Sequence, residues 1–107
     1  MFVVCNRVQI NPDHAEPFEK LFLSRSHMVD KSPGFVSFQL LRPDKADESY
    51  IVMVVWETKD AYKAWLKSDA FKQGHSRTGS LPEDTFMGPQ RVELYEMLEQ
   101  TTAPSTL

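Results

Sequence analysis

The chain has 107 residues, 41% hydrophobic and 11% aromatic, enough for one domain with a modest core that a second copy would economically complete. Twelve Lys and Arg against fifteen Asp and Glu give a formal net charge of −3, and no basic run stands out, which argues against a nucleic-acid or membrane-surface binder. Cys5 is the single cysteine, so intrachain disulfides and cysteine-rich zinc sites are excluded, and no apolar run is long enough to span a bilayer. The first residues enter an alternating strand pattern directly, without the pattern of a signal peptide, so the expected compartment is the cytoplasm.

FVVCNRVQI, residues 2–10, is the first predicted strand. Strand alternation puts Phe2, Val4, Asn6, Val8 and Ile10 on one face, and Val3, Cys5, Arg7 and Gln9 on the other. Asn6 thus falls on the more apolar face. An amide is a poor strand former, and burying it without partners costs about 1–3 kcal/mol, so another part of the chain or a ligand must hydrogen-bond to it. Cys5 reads as a small hydrophobe buried in the same strand.

NPDHAEP, residues 11–17, reads as a helix start, with Asp13 as cap, Glu16 three residues later and Pro17 tolerated within the opening turn. The helix is expected to run to about Asp30. Its apolar stripe is Phe18, Leu21, Phe22 and Val29, and Arg25 falls on that stripe. Ser32, Pro33 and Gly34 end it. Strands follow at FVSFQLLRP, 35–43, and YIVMVVWE, 50–57, around a polar turn. The third strand is apolar on both sides, with Tyr50, Val52, Val54 and Trp56 against Ile51, Met53 and Val55, so both faces of the sheet need cover. Helices cover one face; the sheet of an identical subunit is the economical cover for the other.

Thr58 is a cap for the next helix, whose buried side carries Ala61, Tyr62, Trp65 and Leu66. Ser68 and Asp69 break it and start a second helical piece, Ala70 to about Ser76. Residues 77–89 are too polar and too rich in Gly and Pro for regular structure; QRVELYEML, 90–98, is the last strand. The order is β-α-β-β-α-β, an α+β ferredoxin-like arrangement with an interrupted second helix, occupying residues 1–100 and followed by a flexible tail at 101–107.

No pair of the histidines His14, His27 and His75 has the close spacing of a zinc motif, and His14 and His27 read as surface residues. His75 lies four residues after Phe71 and reads equally as a solvated helix-end residue or a ligand. Trp65 is either core or the wall of a ligand site. Arg25 either makes a salt bridge at the rim of the core or meets a ligand anion. The chain has no glycine-rich phosphate loop, serine nucleophile elbow, convincing carboxylate pair or basic-aromatic pattern.

Taken together, SPGFVSFQLLRP (32–43), AWLKSDAFKQGH (64–75) and the first-strand asparagine resemble the IsdG-type haem-degrading monooxygenases, a branch of the antibiotic biosynthesis monooxygenase superfamily of dimeric α+β barrels. The resemblance covers roughly residues 2–98, and the family's defining Asn, Trp and His read here as Asn6, Trp65 and His75. It implies that the protein binds haem as both cofactor and substrate and opens the ring with O2 and an external electron donor, releasing iron. His75 is then the proximal iron ligand, Trp65 presses on a ruffled macrocycle, and Asn6 donates its amide N–H on the distal side. Arg25 is placed to meet a propionate, and Phe22 to face the porphyrin. Phe86 and Met87, in the long loop, are candidates to close over the cofactor. A homodimer and an unidentified reductase are the implied partners. Three other readings share parts of the pattern: a cofactor-independent oxygenase of aromatic substrates, a haem-sequestering protein without turnover, and a dimeric ligand-binding module whose Asn6 is satisfied by backbone groups.

Overall fold

Among the described residues, four strands and three α-helices form in the order β1 (Phe2–Val8), α1 (Ala15–Val29), β2 (Phe35–Leu41), β3 (Tyr50–Trp56), α2 (Lys59–Leu66), α3 (Asp69–Thr78) and β4 (Arg91–Glu96). This is a computed structural model describing residues 1–104, except for the side chains of Arg25, Ser26, His27, His75, Arg77 and Thr78. The strands make one antiparallel sheet in the order β2-β3-β1-β4, the ferredoxin-like arrangement expected from the sequence.

The register places Phe2, Val4, Asn6 and Val8 of β1 opposite Trp56, Val54, Val52 and Tyr50 of β3. These residues form the face that the helices cover. Phe18, Phe22 and Val29 of α1 are buried on it, as their spacing predicts. A bulge between Phe35 and Ser37 shifts the β2–β3 register, so that Phe35 pairs with Trp56 and shares the helix side with Phe38 and Leu40. Strict alternation would have turned Phe35 to the opposite face from Phe38. Instead its ring meets Trp56 edge-on, with centroids 6.1 Å apart.

The helix starts obey local hydrogen bonding, with one difference from expectation. Asn11, not Asp13, is the first cap. It accepts from the Asp13 backbone N–H at 3.1 Å and starts a 3-10 turn, Pro12–His14, that runs into α1. Asp13 then lies inside the first turn, where its charge faces the positive end of the helix. Thr58 caps α2 through the Ala61 N–H, as predicted. Ser68 makes the break between α2 and α3: its hydroxyl donates to the Trp65 carbonyl and accepts from the Phe71 N–H. Gly34 has φ +82°, and a Cβ built there would stand 2.5 Å from that of Ala61. The SPGF turn therefore needs glycine both for its backbone conformation and for the approach of α2.

Several boundaries are shorter than the sequence patterns suggested. β1 ends at Val8, β2 at Leu41 and β4 at Glu96, whereas α3 runs on to Thr78. The loop expected to close over a ligand is instead bound to the start of the chain. The Asn11 N–H donates to the Thr85 carbonyl and the Met87 N–H to the Gln9 carbonyl, both at 2.8 Å, around an isolated bridge between Ile10 and Phe86. Phe86 packs edge-on against Phe18 as part of the core, and Met87 is exposed. The apolar ring of Phe86 is thus partly buried against α1 and does not line the cavity described below. His14 faces Asp84 of the same loop at 2.8 Å, a surface contact of the kind expected for that residue.

One polar cluster ties α1 to the sheet. Glu19 accepts hydrogen bonds from Arg42 and from the Tyr50 hydroxyl, and these two contacts, the arginine first, hold its carboxyl below the usual carboxylate range. A carboxyl whose pKa is lower folded than unfolded contributes its full stabilisation above the unfolded value and loses it as pH falls through the folded one. Glu19→Gln is therefore expected to lower the melting temperature at neutral pH and to flatten its decline below the ordinary Glu value of 4.5; calorimetry at several pH values checks this. An unchanged acid slope would remove Glu19 from the account.

The other face of the sheet carries Val3, Cys5, Leu41, Ile51, Met53, Val55 and Tyr95, together with the Arg7–Glu93 ion pair. No described element of this chain covers it. Cys5 is only half-buried there rather than fully enclosed, and burial still pushes its thiol pKa up, away from the reactive thiolate.

Candidate active site

Between the helices and the covered face of the sheet lies a cavity of about 180 Å³. The sheet supplies Val4, Asn6, Phe38, Val52, Val54 and Val92 as its floor. The helices supply Phe22 and Val29 from α1, Tyr62, Trp65 and Leu66 from α2, and Phe71 from α3. Gln90, just before β4, completes the rim. Val92 and Leu94 share the sheet face with Val4 and Asn6, yet they are 54% and 47% exposed, because the helices do not reach over β4. The uncovered strip gives the cavity its mouth.

Trp65 forms one wall. Its ring is stacked obliquely on the fully buried Trp56, with centroids 5.7 Å apart, and it meets Phe71 edge-on at 4.8 Å. The Trp65 position is therefore set from behind by a large, fully buried partner. Its indole N–H is buried and has no hydrogen-bond partner. Phe22 is held by Phe18, with ring centroids 4.6 Å apart.

Asn6 is the polar point on this apolar floor. Its Nδ2 donates to Gln90 Oε1 at 3.2 Å, while its Oδ1 is buried without a partner. Gln90 is not among the site residues that the sequence points to. Nothing in the sequence around it marks a functional residue, and only the β1–β4 pairing brings it to Asn6. Among the described lining residues none is charged, and burial pushes the Tyr62 pKa up, so its phenol stays neutral. No group of three His, Cys, Asp or Glu side chains gathers among the described residues.

Of the five site residues read from the sequence, the fold brings Asn6, Phe22 and Trp65 to this one cavity. Arg25 lies on α1, one turn after Phe22, and His75 on α3, one turn after Phe71. The side chains of both lie outside those described.

An aromatic-walled cavity with no charge among its described lining residues, on the helix-covered face of a ferredoxin-like sheet, defines a small α+β domain that can enclose a largely apolar ligand. The chain belongs to the antibiotic biosynthesis monooxygenase family, whose profile matches residues 1–77. It is 41% identical over 68 residues to the mycobilin-producing heme oxygenase of Mycobacterium tuberculosis, an alignment covering 64% of this chain and 65% of that protein. The aligned part thus spans just under two thirds of that relative. A staphylobilin-producing heme oxygenase of Staphylococcus epidermidis is 35% identical over 74% of this chain and 77% of its own. Among solved structures, the heme-degrader MhuD of Mycobacterium tuberculosis, with two hemes bound in its active site, superposes with a TM-score of 0.76 at 30% identity, covering 95% of this chain and all of that one.

Proposed function

We propose that this protein is a haem-degrading monooxygenase. The observation that carries the reading is the meeting of Asn6 and Trp65, distant in sequence, in one cavity whose described lining carries no charge and is mostly apolar. The relatives named above, heme oxygenases and a heme-degrader, support the same substrate. Haem bound here supplies the iron at which dioxygen and electrons from an external reductant do the oxidative chemistry.

The chain's own residues have separable tasks. Phe22, Val52, Val54 and Phe71 enclose the macrocycle and exclude water, which strengthens every polar contact inside. Trp65, backed by Trp56, presses on the ring plane from a fixed position. Asn6 offers the amide on the distal side, and its unpartnered Oδ1 and Gln90-held Nδ2 mark a polar group kept in an apolar floor at a cost in stability. His75, one helical turn beyond the cavity-lining Phe71, is assigned as the proximal ligand, and Arg25, one turn beyond Phe22, as the propionate partner. The mouth over Val92 lets one edge of the macrocycle, with its charged substituents, remain in water.

The same proposal includes a homodimer, a separate reductase and a cytoplasmic location. The apolar, only partly buried face around Val3, Ile51 and Met53 supports the dimer, because sheet-on-sheet packing of two copies would bury it. The test is titration of hemin into the purified protein, followed at the Soret band, with the mass taken by light scattering. The expected result is a saturable complex near one haem per subunit of a dimer. Reductant added in air, with catalase present, should then bleach the Soret band. No saturable complex would sink the proposal, and a persistent Soret band would reduce it to haem sequestration.

A further inference from the structure

The only described hydrogen bond of the Asn6 side chain runs to Gln90, and this bond decides more than stability. A primary amide presents a donor at one end and an acceptor at the other, nearly equal in shape, so its orientation is set by its partners. In Asn6 the Oδ1 end is shut off from solvent without a partner. The Nδ2 end shares its surroundings with Gln90, an exposed residue on the cavity rim. One N–H is taken by Gln90 Oε1, and the second has no partner among the described residues. Among the described residues nothing else on the floor distinguishes the two ends: Val4, Val52, Val54 and Val92 offer no polar side chain.

Resting on the proposed function, we infer that Gln90 is a positioning residue: by accepting one N–H of Asn6 at the rim it fixes which end of the amide is the donor, and so the polarity that the amide would show to the distal side of bound haem. Without that bond the amide is free to turn over. A reversed amide would present oxygen lone pairs, which repel an electronegative ligand instead of hydrogen-bonding to it. Gln90 acts only through Asn6 and touches neither the reacting atoms nor the iron. The contact is long-range: β4 begins at Arg91, and its pairing with β1 carries the preceding Gln90 to Asn6.

Two experiments test this, one of them free of haem. In the 15N-labelled protein without haem, Gln90→Leu is expected to shift the Asn6 side-chain amide resonances and speed their hydrogen exchange, whereas Gln90→Glu, which keeps the acceptor, restores slow exchange. Unchanged Asn6 resonances in Gln90→Leu overturn the inference whether or not the protein binds haem. In the carbon monoxide complex of the reduced haem protein, loss of an N–H donor raises the C–O stretching frequency. Gln90→Leu should raise it in the same direction as Asn6→Ala, and adding Gln90→Leu to Asn6→Ala should shift it no further. Ring-opening should slow roughly fivefold in the single variant, the loss of about one ordinary hydrogen bond. A further shift in the double variant would show that Gln90 acts independently of Asn6 and overturn the positioning role. Failure of hemin to bind the unsubstituted protein would instead sink the proposed function, leaving the haem-free result to decide the pairing.

Discussion

His75→Ala is expected to abolish the ligated haem spectrum, the largest functional effect of any single substitution here. The iron of a haem in this cavity would have no other assigned protein ligand, and no His, Cys, Asp or Glu stands among the described lining residues to replace it. The apolar walls would still attract the macrocycle, so some hemin should remain associated with an unligated, weak and blue-shifted Soret band. Adding imidazole should restore a ligated spectrum if the cavity is intact. Asn6→Ala is the contrasting variant: it removes a polar group from the floor but no ligand, so it should bind haem and degrade it poorly. A normal ligated spectrum in His75→Ala would refute the assignment of that residue. Rapid degradation by Asn6→Ala would refute the role of the amide. The two variants thus separate holding the haem from acting on it.

Trp56→Ala carries the largest expected effect on stability. Trp56 is completely buried, lies opposite both Phe2 and Phe35 in the sheet, and touches the rings of Phe35, Tyr62 and Trp65. Truncating so large a core aromatic costs about 3–5 kcal/mol, a large share of the roughly 5–15 kcal/mol that holds a domain folded. For a chain of this length the melting temperature should fall by more than about 12 °C, measurable by calorimetry. Trp56→Phe should cost much less, because the indole N–H has no partner to lose. The site should register the change too. Trp65 leans on Trp56, so in Trp56→Phe the bound haem should be less distorted, with a shifted Soret maximum at unchanged stoichiometry. An alanine variant as stable as the parent would mean that this cluster is not the core it is taken to be.

Much of the architecture was legible from local pattern. Alternation in β1 and β3, the Ser32–Pro33–Gly34 break, Thr58 as a cap and Ser68 at the break between α2 and α3 are each decided by a few neighbouring residues, and each is where it was expected. Phe18, Phe22 and Val29 follow helical spacing and are buried accordingly. The misplaced features depended on choices between near-equal local options or on distant partners. Asn11 and Asp13 are both good caps, and the chain used the earlier one. The bulge that turns Phe35 inward answers to Trp56 across the sheet. Phe86 stands in a segment with no periodicity of its own, and its burial depends on Phe18 and on the β1 end that the loop pairs with.

The candidate site divides in the same way. By itself the sequence determined that Asn6 shares the apolar face of its strand and that Phe22 and Trp65 lie on the buried sides of helices; the grouping of His75 with Asn6 and Trp65 is an expectation that rests on resemblance. The first two are properties of residue type and spacing, set by the repeat of a strand or helix. Only the tertiary structure decided that Gln90 is the residue bonded to Asn6, that Trp56 backs Trp65, and that the mouth opens over Val92. Those contacts join positions far apart in the chain, and their existence depends on sheet register and helix placement, which no local repeat encodes.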